Sequence, residues 1–166
     1  VQELLEPFRV PEAPGSKWKY AGGNTMLLGE LIAGLDEGSL SHWVEKRLWN
    51  PMGAQYDAFW ALDAPDDEGG IERCFAAYYA TSRDLARFGK LINHQGSWNG
   101  QQLIDSTFMA EMVTPIAEMS SECDAEYYGY QIWLGETESG IPFSCMEGLR
   151  GQMVISVPEL DVVVVR

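Results

Sequence analysis

YYGYQIWLGETESGIPFSCMEGLRGQMVISVPELDVVVVR, residues 127–166, is where the grammar of this sequence changes. Short aromatic and β-branched runs (YYGYQIWL, IPFSCM, GQMVISV and DVVVVR) are separated by glycine, proline and acids, the pattern of strands joined by turns. Short connections between consecutive runs suit antiparallel neighbours, so this segment reads as an antiparallel meander.

Working back from it, residues 1–115 read as mainly helical. Ser106 to Val113 pairs Phe108 with Met112 and Met109 with Val113 at i,i+4, and Thr114-Pro115 ends it. Thr81-Ser-Arg-Asp84 resembles a capping box with Asp in the acidic position; Leu85, Phe88 and Ile92 then share a face, and Gly96 marks the stop. Ser39 or Ser41 can cap a helix that Asn50-Pro51 closes. Asn24 can cap an amphipathic helix carrying Leu27, Leu28, Leu31, Ile32 and Leu35, with Gly38 past its end. Residues 7–19 carry Pro7, Pro11 and Pro14, so they form a loop. The tract Asp63 to Gly70 lacks the spacing of a calcium loop and reads as solvated. Helices first and strands afterwards give an α+β class.

Composition narrows the function. With 46% hydrophobic residues and six tryptophans, the 166-residue chain can bury a core of its own. A formal charge of −14 repels phosphate backbones, so nucleic acid is not an expected partner. No apolar run reaches the roughly 20 residues needed to span a bilayer. Cys74, Cys123 and Cys145 are odd in number and widely spaced, and read as free thiols. His42 and His94 lack the spacing that places two imidazoles on one helix face, and read as surface or helix-end residues. The residues set neither compartment nor oligomeric state.

Chemistry-bearing patterns are sparse. The sequence reads as lacking an S-x-x-K, which would place a serine and a lysine on one helical turn, and as lacking a G-x-S-x-G elbow or a phosphate-binding glycine loop. Two candidates remain: Tyr20 at the mouth of Tyr-Ala-Gly-Gly-Asn24, and the pair Gly148-Leu-Arg-Gly151. A buried tyrosine near a cation can ionise below its usual pKa of about 10 and act as a general base, and glycines let backbone approach a substrate. The plainer readings are a packing tyrosine and a turn. Trp18, Trp60, Tyr78 and Tyr128 can line an apolar cleft or simply the core. Arg83, Asp84 and Arg87 are capping and ion-pair residues rather than catalytic ones, worth about 0.3–1 kcal/mol each.

Four collinear stretches carry a family resemblance. PGSKWKYAGGNTMLLGELI is similar to the P-G-x-x-x-x-Y-[SA]-x-x-N-x-x-L-L-G segment of the β-lactamase-related, penicillin-recognising serine hydrolases. LWNPMGAQYDAFWALD, GGIERCFAAYYATSRDLARFGKLINHQGSWNGQQLI and FSCMEGLRGQMVISVPELDVVVVR follow in the order of the 6-aminohexanoate-dimer hydrolase and esterase branch. The resemblance implies a partial β-lactamase/transpeptidase-like fold and acyl transfer through a serine ester, with a small-molecule ester or amide as substrate and no cofactor. It makes Tyr20 the proton-transfer tyrosine. Gly22 takes the third position of the Y-x-N motif, where many relatives carry asparagine. Met146-Glu147-Gly148 aligns with the K-T-G or H-T-G triplet of the site strand, so Met146 and Gly148 are substrate-binding positions and the Leu149 N–H is the second oxyanion donor. Met146 cannot hold a carboxylate as lysine would, which argues against β-lactam cleavage.

A start at Val1 and a stop within Val162 to Arg166 read as a fragment: residues 1–166 as the C-terminal part of a single serine hydrolase domain, with the S-x-x-K segment elsewhere. The alternative is a non-catalytic binding or scaffold member of the same fold. In the family, N-terminal strands complete the sheet, so an exposed edge and self-association are expected here.

Overall fold

The computed structural model describes Ala13 and residues 15–35 and 38–166. Among these residues, four α-helices come before a six-stranded sheet: α1 Gly22–Ala33, α2 Leu40–Val44, α3 Ser82–Asn93 and α4 Ser106–Met112. A turn of π-helix, Glu45–Trp49, continues α2 up to Asn50. Two short ladders pair β1 Phe59–Trp60 with β2 Tyr78–Tyr79, and β3 Ser97–Trp98 with β4 Gln101–Gln102. The main sheet takes β5 Ala117–Glu118, β6 Tyr127–Tyr128, β7 Trp133–Glu136, β8 Pro142–Gly148, β9 Gln152–Val157 and β10 Val162–Val165 in sequential order. Every neighbour in it is antiparallel. This is the expected α+β arrangement of helices followed by a meander.

The caps follow side-chain chemistry. Thr81 accepts from the Asp84 N–H, Ser39 from the His42 N–H, and Asp105 from the N–H groups of Thr107 and Phe108. The first helix departs from expectation: it begins at Gly22 with Ala21 as cap, and Asn24 lies inside it, its N–H bonded to the Ala21 carbonyl at 3.0 Å. It ends at Ala33 with Gly34 capping, four residues before Gly38.

Its packing face differs too. Leu28, Leu31 and Leu35, spaced to share a face, are 46%, 66% and 79% exposed. The helix instead packs through Gly22, Thr25 and Gly29, spaced by three and four. A Cβ on Gly29 would lie 2.4 Å from Cys74 Sγ, and one on Gly22 would lie 3.2 Å from Phe75. Small residues allow closer approach than leucines would, and the chain takes that option.

The run YYGYQIWL is two strands, not one. Gly129 N–H bonds the Ile132 carbonyl at 2.8 Å and Gln131 takes φ +57°, so the chain turns between β6 and β7. The short edge strand β5 carried no strand signal of its own; it forms because Tyr127 and Tyr128 offer it a partner.

Alternation divides the sheet into two faces. One carries Trp133, Cys145 and Met153, which form a core with Tyr128, Cys123 and Ala125. The other carries Val154 and Ser156 against α3, where a Cβ on Gly89 would come within 2.5 Å of Val163 and 3.2 Å of Val154. Buried Ser156 sets its hydroxyl 3.0 Å from the Gly89 carbonyl and also against Asn93 Oδ1. Cys123 and Cys145 are buried, Cys74 is half-buried, and all three are free thiols.

Asp84 is fully buried, which corrects the modest weight expected for it. Its carboxylate accepts from the N–H groups of Gln55 (2.9 Å) and Tyr56 (3.2 Å), from Thr81 Oγ1 (2.8 Å) and from Arg87 Nε (3.0 Å). Burial pushes its pKa up, but these bonds outweigh burial and hold it below the usual carboxylate range. Arg87 also donates to the Met52 carbonyl at 3.0 Å. The pair is a bracket between α3 and the loop after α2. No helix among the described residues is long and apolar enough to cross a membrane.

Candidate active site

The loop before α1 lays an aromatic arm across one face of the sheet. Tyr20 stacks on Trp133 with ring centroids 5.6 Å apart and meets Tyr128 edge-on at 5.7 Å; Trp18 contacts Tyr128 at 5.1 Å. Such contacts fix ring orientation and add about 0.5–1.5 kcal/mol each beyond burial. The Tyr20 side remains open, with the residue 56% exposed. Its ring borders a cleft of about 410 Å³ that also touches Trp18, Asn24, Thr25, Ile116, Tyr128 and Gln131. Tyr20 is therefore a platform residue facing solvent, not the buried phenol that the base argument pictured.

Beneath it, Tyr128 is 5% exposed. Burial, and secondarily the charge of an ionised Tyr20, push its phenol up to about 12, so Tyr128 stays a neutral partner at neutral pH.

The glycine pair lies at the far end of β8. Gly148 pairs with Gln152, and Leu149 at the hairpin tip is 85% exposed. Arg150 at φ +69° and Gly151 at φ +76° complete the reversal. The Tyr20 cleft does not include Met146, Gly148 or Leu149 in its lining. The connection runs through the sheet: Trp133, under Tyr20, pairs with Cys145, three residues before Gly148.

Register also decides which side chains point which way. Cys145 shares the core with Trp133, so Glu147 projects on the Tyr20 side, where it accepts from the Glu122 N–H at 3.1 Å. Met146, paired with Val154, projects on the α3 side. In the sheet β8 is flanked by β7 and β9. Gly22 lies next to the cleft, and a side chain there would meet Phe75.

The four aromatic candidates divide. Trp18 and Tyr128 line the Tyr20 cleft, whereas Trp60 and Tyr78 pair at 4.4 Å beside Trp49, around a separate hollow of about 220 Å³. Thr25 and Gln131 were missed: Thr25 Oγ1 donates to Gln131 Oε1 at 2.9 Å across 106 positions, a closure with no local signal.

One spacing also needs correcting. Ser16-Lys17-Trp18-Lys19 satisfies S-x-x-K as a string. It lies in a non-helical bend, with Ser16 Oγ donating to the Ala13 carbonyl at 2.6 Å. Serine and lysine are therefore not stacked on one helical turn there. Among the described residues no cluster of His, Cys, Asp or Glu could hold a metal.

The Beta-lactamase family model matches residues 3–166. The chain belongs to the beta-lactamase family. Solved structures share its architecture. A Bacillus anthracis protein provisionally named a 6-aminohexanoate-dimer hydrolase is 28% identical with a TM-score of 0.75, over 93% of this chain and 39% of that one. A penicillin-binding protein from Bacillus halodurans (16% identical, TM-score 0.71) aligns over 99% of this chain and 56% of its own. A D-stereospecific amidohydrolase from a Streptomyces species (17% identical, TM-score 0.65) aligns over 92% and 50%. The last two show the fold alone. No protein of curated function matches the chain. This beta-lactamase family chain thus spans roughly two-fifths to just over half of the solved structures it resembles.

Proposed function

We propose that this beta-lactamase family chain is the C-terminal part of a serine hydrolase domain that cleaves a small ester or amide through an acyl-serine intermediate. Tyr20 carries the proton between nucleophile and leaving group, and the Leu149 N–H helps hold the oxyanion. The reactive serine and its lysine come from an S-x-x-K helix outside these residues. What supports the reading most is the Tyr20 ring: it is fixed on Trp133 and Tyr128 while remaining open to a cleft. A phenol so placed is oriented and reachable, as proton transfer requires. Glu147 and Met146 in the site triplet offer no cation for a substrate carboxylate, which favours uncharged esters and amides over β-lactams.

A fluorophosphonate that traps reactive serines should leave the 166-residue chain unlabelled. It should label a longer chain that includes the upstream reading frame. Labelling at Ser16 overturns the external nucleophile, whereas an unlabelled longer chain leaves the non-catalytic binding module as the reading. In the longer chain, Tyr20→Phe should lower kcat for p-nitrophenyl acetate by about 10²–10⁴, the usual scale of general acid–base catalysis.

A further inference from the structure

The face of the sheet turned away from Tyr20 carries a hollow of its own. Ser144 precedes Cys145 in β8, so alternation turns it away from Trp133 and onto the face that carries Ser156, its register partner. There the C-terminal end of α3, the helix α4 and strands β6 to β8 border a hollow of about 460 Å³. Its walls are mostly apolar, with Ile92, Met109, Val113, Leu134, Pro142 and Phe143 among them. The polar groups beside them are largely spent. Asn93 donates to the Val162 carbonyl at 3.1 Å and accepts from Ser156 Oγ, and Thr114 Oγ1 donates to the Ala110 carbonyl at 2.8 Å. Ser144 is the exception. It is 3% exposed, and among the described residues its Oγ is the one buried side-chain oxygen or nitrogen without a partner. Native structures satisfy such groups because an unmade buried hydrogen bond is costly, so this hydroxyl marks a place where a partner belongs. Buried water takes two to four polar partners, and one hydroxyl among apolar walls supplies fewer.

We propose that this hollow binds an uncharged aliphatic molecule with a single oxygen function, of the class of medium-chain alcohols and ketones, whose oxygen accepts from Ser144 Oγ while its chain lies along Met109, Val113 and Leu134. The walls are mainly aliphatic and thioether surface, and a methionine adapts its shape to a flexible chain. No lysine, arginine or histidine lines the hollow, and exposed Glu136 stands at its rim, so an anion finds no counter-charge there and meets one of its own sign. A fatty acid is therefore disfavoured where the alcohol of the same length is accepted. The hollow shares no lining residue with the Tyr20 cleft and lies across the sheet from it. The binding is thus separate from the reaction proposed above and does not depend on it.

The test is titration of the protein, carrying methyl-labelled methionine, with n-hexanol and separately with hexanoate at neutral pH. The Met109 methyl signal, assigned by its loss in Met109→Leu, is followed by NMR. n-Hexanol should shift it saturably, and hexanoate should bind at least about five-fold more weakly. Ser144→Ala should weaken n-hexanol binding at least about five-fold, the scale of one hydrogen bond, while leaving Tm level or higher because it removes an unpaired hydroxyl. Val113→Trp, which fills the hollow from a position 37% exposed, should abolish the shift, and circular dichroism should show that each variant is folded. Trp60→Phe, outside the hollow, should leave affinity unchanged. A Met109 signal that never saturates overturns the proposal, as does equal binding of hexanoate. Undiminished n-hexanol binding or a lowered Tm in Ser144→Ala would show that the hydroxyl serves the fold rather than a ligand. Binding should persist in a longer chain that includes the upstream reading frame; its loss there would show that the protein itself fills the hollow, and would equally reject the site.

Discussion

Asp84 carries more of this structure than its place in a helix-capping motif suggests. A carboxylate sealed from solvent with four donors around it cannot lose its charge without leaving them unpaired. Asp84→Ala should destabilise the protein by about 3–5 kcal/mol, the cost of breaking a buried pair, measured by urea unfolding. The pH dependence has a definite sign. The folded pKa lies below the unfolded value of about 3.9, so the contribution is complete above that value and lost as pH falls through the lower folded one. Replacing Asp84 should therefore flatten the acid limb of stability against pH. Tyr20 is the opposite kind of residue, held by three aromatic rings yet open on one side, so its substitution should cost more in rate than in stability.

At the level of elements, α3 is seated on the sheet by Gly89. Alanine there would gain about 1 kcal/mol of helix propensity. Its Cβ would lie 2.5 Å from the stiff Val163 side chain, and overpacking of that kind costs about 1–3 kcal/mol. Clash wins, so Gly89→Ala should lower Tm, and the double variant Gly89→Ala/Val163→Ala should recover part of the loss. The helix α3 was legible because capping, periodicity and stop signal all agree within fifteen residues. The helix α1 was legible as a helix but not in orientation. Its leucines fit a buried stripe, yet contact distance favoured the glycine face.

For the whole molecule, the meander leaves surface uncovered. Val162 and Val164 are 42% and 49% exposed on β10, and among the described residues no strand pairs with its outer edge. Together with Leu28, Leu31 and Leu35, these are the surfaces that favour association. Sedimentation should show concentration-dependent self-association of the chain, reduced by Val162→Lys/Val164→Lys. A monomer at all concentrations would mean that the edge is already protected. The net charge of −14 opposes association, so added salt should strengthen it.

The amino-acid sequence by itself determined the class, the order of helices and strands, the Thr81 cap and the family, because each is written in neighbouring residues: periodicity, a capping oxygen, a motif of fixed spacing. It also nominated Tyr20 and the Gly148 hairpin. Only the tertiary structure decided which face of α1 is buried, that Glu147 rather than Met146 turns toward Tyr20, and that Thr25 meets Gln131. Those outcomes depend on sheet register and on contacts between distant positions, where a one-residue shift reverses every side chain and no local pattern records the choice.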